Sequence, residues 1–231
     1  MIGRILSYLI FLLFKILYSF FMIIWIASYP KSGNTYIRSF LSAYFFTNTG
    51  NFDFKLLKNI EQFPDKQFFN GFIDNIDDAS KSWLSIQKDL IKTNKTRFLK
   101  THSAFISFNN NQFTNAETTL GSVYIVRDPR SIVTSIMNHF SMDQFEAAEM
   151  LFDEDRGIKS SDGNLATYSF LSSWCNHYNS WNNLKTIKSI LIKYEDLEKS
   201  NEEIFSNLIR YINNLIGSNE GIDHQKFIKA L

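Results

Sequence analysis

The sequence is poor in the residues that staple or punctuate a chain. It has one cysteine, Cys175, which excludes an intrachain disulfide and a cysteine-rich zinc site. Three prolines and nine glycines rule out a collagenous or Pro/Gly-rich low-complexity organisation. An excess of one charge is also missing, since 24 basic and 23 acidic residues leave a net charge of +1. Nucleic-acid-binding surfaces usually show a basic excess, so no nucleic-acid partner is expected. What the chain has is apolar and aromatic content, 45% and 16%, the aromatics mostly Phe. With 20% charged residues this is globular composition, not disorder. The 231 residues fit one domain, or one domain with an attachment, large enough for a proper core.

The N-terminus carries the longest apolar run, Ile5 to Ala27, interrupted by Lys15 and a few Ser and Tyr. A window of about 19 residues there scores as a membrane helix. Met22–Ser28 (MIIWIAS), however, reads as a buried strand, and a strand inside a sheet cannot also lie in a bilayer. The remaining Ile5–Phe21 is about 25 Å long as a helix, short of a roughly 30 Å hydrocarbon core. A cleavable signal peptide fits poorly, because no small-residue cleavage site precedes the strand. The expectation is a hydrophobic helix or extension over 1–21 and a folded domain over 22–231. Two readings of 5–21 stay open: membrane contact, and an extension ahead of a natural start at Met22. The location expected is cytoplasmic, with membrane association through that segment on the first of these readings only. At the other end, Asp223–Leu231 looks like a helix beginning, with no basic or Gly-rich tail after it.

Between the ends, strands and helices alternate. Asn34–Phe46 is predicted helical, with Ile37, Phe40, Leu41 and Tyr44 at helical spacing. Asn48–Ser80 is irregular and Phe-studded, Lys81–Thr93 is a helix, and Arg97–Lys100 a short strand. Ser122–Val126 (SVYIV) reads as a buried strand, and Pro129–Phe140 as a helix with Asp128 as N-cap. Ser141–Phe152 is a second helix, Asp153–Gly163 a polar loop, and Asn164–Leu184 a long helix. Ile187–Lys193 is a further strand, and Ser200 with Glu203 forms a capping box that opens a helix to Asn213. Strands separated by helices imply right-handed crossovers. The fold class is therefore α/β, a three-layer arrangement with a mostly parallel sheet and helices on both faces.

Ligands of such sheets bind at the carboxyl ends of the strands, where helix N-termini favour anions. Tyr29-Pro30-Lys31-Ser32-Gly33-Asn34-Thr35-Tyr36 occupies such a place after the first strand. Gly33 allows close backbone approach, Ser32 and Thr35 add hydroxyls, and Lys31 adds positive charge. The loop is not a Walker motif, in which Lys follows the last Gly. Phe98-Leu99-Lys100-Thr101-His102 brings a histidine to the same rim, and imidazole accepts a proton near neutral pH. The other histidines, His139, His177 and His224, fall in predicted helices and are given structural roles. Val123–Arg130 ends a strand with Arg127, and Ser131 and Ser135 share a face of the helix that follows. An Arg and a Ser so placed can hold a phosphate together. Tyr194-Glu195-Asp196 closes the last strand. No metal-ligand constellation is present.

WIASYPKSGNTYIR resembles the 5′-phosphosulfate loop of sulfotransferases that use 3′-phosphoadenosine 5′-phosphosulfate (PAPS), whose usual form is YPKSGTTW. Asn34 stands for a Thr and is expected to donate to phosphate. Tyr36 stands for the Trp beside the adenine and is expected to stack. The K-T-H segment is similar to the one that carries the family's general base, which makes His102 the base and sets Lys100 on the acceptor side. Arg127 and Ser135 match the 3′-phosphate pair, and Tyr194 matches the nucleotide-contacting Tyr of the family's Y-E-D segment. The resemblance implies transfer of a sulfuryl group to a hydroxyl or amine of a small-molecule, lipid or glycan acceptor. The catalytic groups would be His102 and Lys31, with Lys31, Ser32, Gly33, Asn34, Thr35, Tyr36, Arg127, Ser135 and Tyr194 on the nucleotide, and no metal. The family's basic segment beyond the Y-E-D helix has no counterpart after Asn213. Two alternatives therefore stand beside this reading: a nucleotide-dependent phosphotransferase, and a truncated, non-catalytic, membrane-tethered remnant.

Overall fold

The computed structural model describes residues 21–69, 73, 75–93, 95–162 and 165–231. Apart from Phe21, the expected N-terminal helix or extension lies outside the described residues. Among the described residues no helix is long and apolar enough to cross a membrane.

A five-stranded parallel sheet forms the centre. β1 (Ile23–Ser28) is its middle strand and is buried along its whole length. It pairs with β3 (Arg97–Thr101) on one side and β6 (Thr119–Val126) on the other. β2 (Glu61–Gln62) and β9 (Ser189–Lys193) are the edges, giving the order β2-β3-β1-β6-β9. A strand covered on both faces must be apolar at every position, which is why IIWIA reads as a run. Its even residues, Ile24 and Ile26, enter one core, and its odd residues, Ile23, Trp25 and Ala27, enter another.

The first core lies under α1 (Asn34–Phe46), the long α6 (Tyr194–Ile216) and the short α7 (His224–Ala230). Phe40 stacks on Phe205 at 3.9 Å and meets Phe227 edge-on at 5.7 Å. The second core holds α2 (Ile76–Ile91) and α5 (Trp174–Asn182), which place Trp83 and Trp181 around Phe113. α3 (Pro129–Phe140) and α4 (Gln144–Phe152) form a third cluster over Tyr29. Two hairpins complete the fold: β4 (Ser107–Phe108) with β5 (Asn111–Gln112), and β7 (Gly157–Asp162) with β8 (Leu165–Phe170).

Several expected elements are corrected. The long helix expected over Asn164–Leu184 is strand β8 followed by α5. LATYSF pairs antiparallel with GIKSSD, and Ser173 caps the helix only after that, accepting from the Asn176 N–H. The polar loop expected at 153–163 is in large part β7. The helix expected at Lys81 begins at Ile76, because the Asn75 side chain accepts from the Asp78 N–H and caps it there. The helix expected from Ser141 begins at Gln144. Ser141 is left-handed (φ 55) and ends α3, while Asp143 and Glu146 form a capping box for α4. The start expected at Ser200 is a break inside α6, where φ −147 and ψ 46 are non-helical.

Candidate active site

The chain leaves β1 through two left-handed residues, Lys31 (φ 66) and Gly33 (φ 91), which flank Ser32. Alternating handedness turns successive N–H groups to one side and makes an anion-binding concavity. α1 then begins, with the Tyr36 N–H donating to Gly33 O at 3.0 Å. Ser32 is fully buried, and its hydroxyl has no hydrogen-bond partner. Gly33 is required twice over: its φ disfavours a side chain, and a Cβ there would run into the Tyr194 ring. Asn34 corrects an expectation. Its NH₂ group donates to Ile26 O and Ser28 Oγ, both at 3.1 Å, so its side-chain donors face the sheet. What Asn34 can offer an anion is its backbone N–H at the helix start. Thr35 and Tyr36 are exposed, Tyr36 packing edge-on against Phe205 at 5.5 Å.

Arg127, at the end of β6, closes this loop. Its Nη1 donates to Lys31 O at 3.0 Å, and the guanidinium lies 4.4 Å from the centroid of the Tyr194 ring. Its Nε is buried without a partner. Lys31, Gly33, Arg127 and Tyr194, drawn from three segments of sequence, therefore form one cluster. Glu195 supports it by accepting from the Asp128 N–H at 2.8 Å. Asp128 caps α3 and pairs with Arg130, whose hydrogen bonds hold the carboxyl down at about 2. That pair gives Arg130 a structural role. Ser135 lies half-buried two turns into α3, and the structure brings it into no hydrogen bond with the loop.

His102 follows β3. Its Nδ1 lies 2.8 Å from Ser28 O and 3.4 Å from Ser28 Oγ. A carbonyl oxygen can only accept, so Nδ1 carries the hydrogen and Nε2 is left with a free lone pair. Burial, then the nearby Lys100 charge, lower its pKa to about 3, and the ring is neutral at physiological pH. Lys100 donates to Gln62 Oε1 at 3.1 Å and is lowered to about 8, by burial first and then by Arg38. Arg38 itself is lowered by burial; its Nη2 bonds Leu57 O at 2.9 Å and Ile60 O at 2.7 Å. Sequence reasoning passed over Arg38 and Gln62. Arg38 carried a usable signal, a cation one turn beyond the loop on the helix that the loop opens.

His177, expected to be structural, touches the site from behind. Its Nε2 is 3.1 Å from His102 O, and its Nδ1 is 2.9 Å from the Tyr124 hydroxyl. Burial lowers its pKa to about 4. Among the described residues no group of three or more His, Cys, Asp or Glu could hold a metal ion.

The family model for a sulfotransferase domain matches residues 23–223. A crystal structure of retinol dehydratase in complex with androsterone and the inactive cofactor PAP shares the fold at a TM-score of 0.51 and 16% identity, covering 90% of this chain and 62% of that one. A retinol dehydratase in a complex with retinol and PAP aligns with a TM-score of 0.52 and 16% identity, covering 90% of this chain and 63% of that one. The chain thus spans less than two thirds of the length of either structure. No curated protein matches it by sequence.

Proposed function

The chain belongs to the sulfotransferase domain family, and from that premise we propose that it moves a sulfuryl group from PAPS to a hydroxyl or amine acceptor, with His102 as general base. The observation that carries this reading is the bond from His102 Nδ1–H to Ser28 O, which leaves Nε2 as the proton acceptor on the rim that holds the anion loop.

The loop suits an anionic donor. It offers backbone N–H groups, the unpartnered Ser32 hydroxyl and the unpartnered Arg127 Nε. When bound, PAPS supplies the sulfuryl group. Residues 31–36 hold its 5′ end, Asn34 through its backbone N–H, while Arg127 and Ser135 hold the 3′-phosphate and Tyr194 contacts the nucleotide. Lys31 stabilises negative charge on the oxygen left behind, and Lys100 lines the acceptor side. Such transfers depend on positioning and charge stabilisation more than on covalent help. Among the protein's own groups His102 is a weak base, by burial first and then by the Lys100 charge. Negative charge placed beside it favours the imidazolium and makes it a better acceptor when donor is present. The solved neighbours hold androsterone or retinol beside PAP, which supports a small-molecule acceptor here.

Calorimetric titration with adenosine 3′,5′-bisphosphate tests the donor site, and label transfer from PAPS to a panel of phenols, alcohols and amines tests the reaction. Saturable binding with transfer supports the reading. Weak or absent binding, without transfer to any acceptor, favours the non-catalytic alternative. Preference for a magnesium nucleoside triphosphate favours a phosphotransferase.

A further inference from the structure

His177 is fully buried on α5, and each of its ring nitrogens has one partner whose chemistry fixes the proton. Nε2 faces the His102 carbonyl, which has no hydrogen to give, so Nε2 is the donor. Nδ1 is then a lone pair, and the Tyr124 hydroxyl donates to it. The ring is also clamped sideways, by Tyr29 edge-on at 5.4 Å and by Tyr124 at 5.7 Å. From His102 the chain of donors continues: Nδ1–H to Ser28 O, with Ser28 Oγ held in turn by Asn34 at the head of α1. Three hydrogen bonds directed one way thus join β6, α5, the end of β3 and β1 behind the rim, and Asn34 donates to Ser28 from the α1 side.

We propose that His177 is the positioning residue of the site: by donating to the His102 carbonyl it holds the backbone that carries the base where its Nδ1–H meets Ser28 O, which keeps the Nδ1–H form and leaves Nε2 to the acceptor. This rests on the reading of His102 as the base.

The series conducts no proton. Tyr124, His177 and His102 each donate once, His177 remains neutral, and the acceptor's proton ends on His102 Nε2. Space filling alone gives no reason for this residue. A leucine would fill similar volume without burying two ring nitrogens that must each be satisfied. What the imidazole adds is direction, one nitrogen reading the Tyr124 hydroxyl and the other fixing the peptide that carries the base. The same peptide unit is held at its other end, where the Ser103 N–H donates to Thr101 Oγ1 at 3.0 Å, and the following carbonyl, Ser103 O, accepts from Trp181 Nε1 at 3.0 Å. The His102 carbonyl is anchored through His177.

The test compares the full chain with His177→Leu, His177→Gln and Tyr124→Phe, using PAPS and a simple phenol, and reads imidazole tautomers from ¹⁵N-resolved NMR. Gln can place an N–H near the former Nε2, and Leu cannot. His177→Leu should lower kcat by roughly tenfold to a hundredfold, the loss that follows when the partners orienting a metal-ligating histidine are removed, taken here as the scale for a group that orients a histidine base. The KM for PAPS and the affinity for adenosine 3′,5′-bisphosphate should stay within about twofold, since the donor site is untouched. His177→Gln should recover most of the loss. His102 should read as the Nδ1–H tautomer in the parent and the Gln variant, and as a mixture in the Leu variant. The proposal is overturned by a Leu variant with parental kcat, by Gln faring no better than Leu, or by an unchanged His102 tautomer. If the parent transfers sulfuryl to no acceptor, it is the base reading that fails, and the tautomer comparison alone decides the role of His177. If the Leu variant does not fold, Tyr124→Phe decides. It frees Nδ1 of its donor and should bring a smaller tautomer shift and a severalfold loss of kcat; a variant that shows no tautomer shift and parental kcat overturns the proposal.

Discussion

His102 and Arg127 make separable demands, one on the acceptor and one on the donor. His102→Ala is expected to reduce turnover by about a hundredfold to ten-thousandfold while calorimetry with adenosine 3′,5′-bisphosphate stays near the parent value. Near-parental turnover at saturating substrate would remove His102 from the base role. Arg127→Ala should weaken the bisphosphate more than the corresponding 5′-monophosphate, by roughly 1.5–3 kcal/mol for a lost charge-assisted bond. Equal weakening of both ligands would mean that Arg127 only braces Lys31 O. At this scale the sequence exposed the residues that end strands, because topology alone sends Lys31, His102 and Arg127 to one rim. It did not expose Arg38, Gln62 or the orientation of the Asn34 amide. Those depend on which way a side chain turns once helices pack, and no local spacing encodes that.

Loop and helix starts carry the next level of control. Gly33→Ala should disturb the anion loop far more than the fold, since it forces a side chain into φ 91 against the Tyr194 ring. Nucleotide binding should fall sharply while circular dichroism remains parental; retained binding would show that Tyr194 yields easily. Asp128→Ala removes an N-cap worth about 0.5–2 kcal/mol, and it also frees Arg130. A melting point lower by a few degrees, at about 2–4 °C per kcal/mol, is the expected reading. Elements with buried runs or strong caps were legible in advance: β1, β6, and α3 with its Asp128-Pro129 start. The β7–β8 hairpin was not. Tyr168 continues the three- and four-residue spacing of Leu171, Trp174, Tyr178 and Trp181, which suits a helix, and cross-strand pairing, not local pattern, makes the segment up to Phe170 a strand.

For the whole molecule, acid is the sensitive direction. His102 and His177 fall to about 3 and about 4 in the fold, against about 6.5 when unfolded. Between about pH 4 and 6.5 the unfolded chain binds protons that the native one refuses, so stability rises with pH there and falls on acidification. Denaturant titrations at pH 7 and pH 5 should show this loss, and His177→Gln should reduce it; an unchanged free energy would mean that the imidazoles are hydrated. Removal of residues 1–21 should leave a chain that still melts cooperatively. Removal through Tyr29 should abolish folding, because it takes out the middle strand of the sheet.

That middle strand has a cost in time. β1 leaves the ribosome before any of the strands that flank it, and β3 follows only about seventy residues later, with β6 further behind. At about 5–20 residues per second this is several seconds, during which a ribbon apolar from Ile23 to Ala27 has no ladder to join. A holdase over that interval is therefore expected to raise the yield, which should follow the rate of translation between Ser28 and Val126 more closely than the stability of the finished fold.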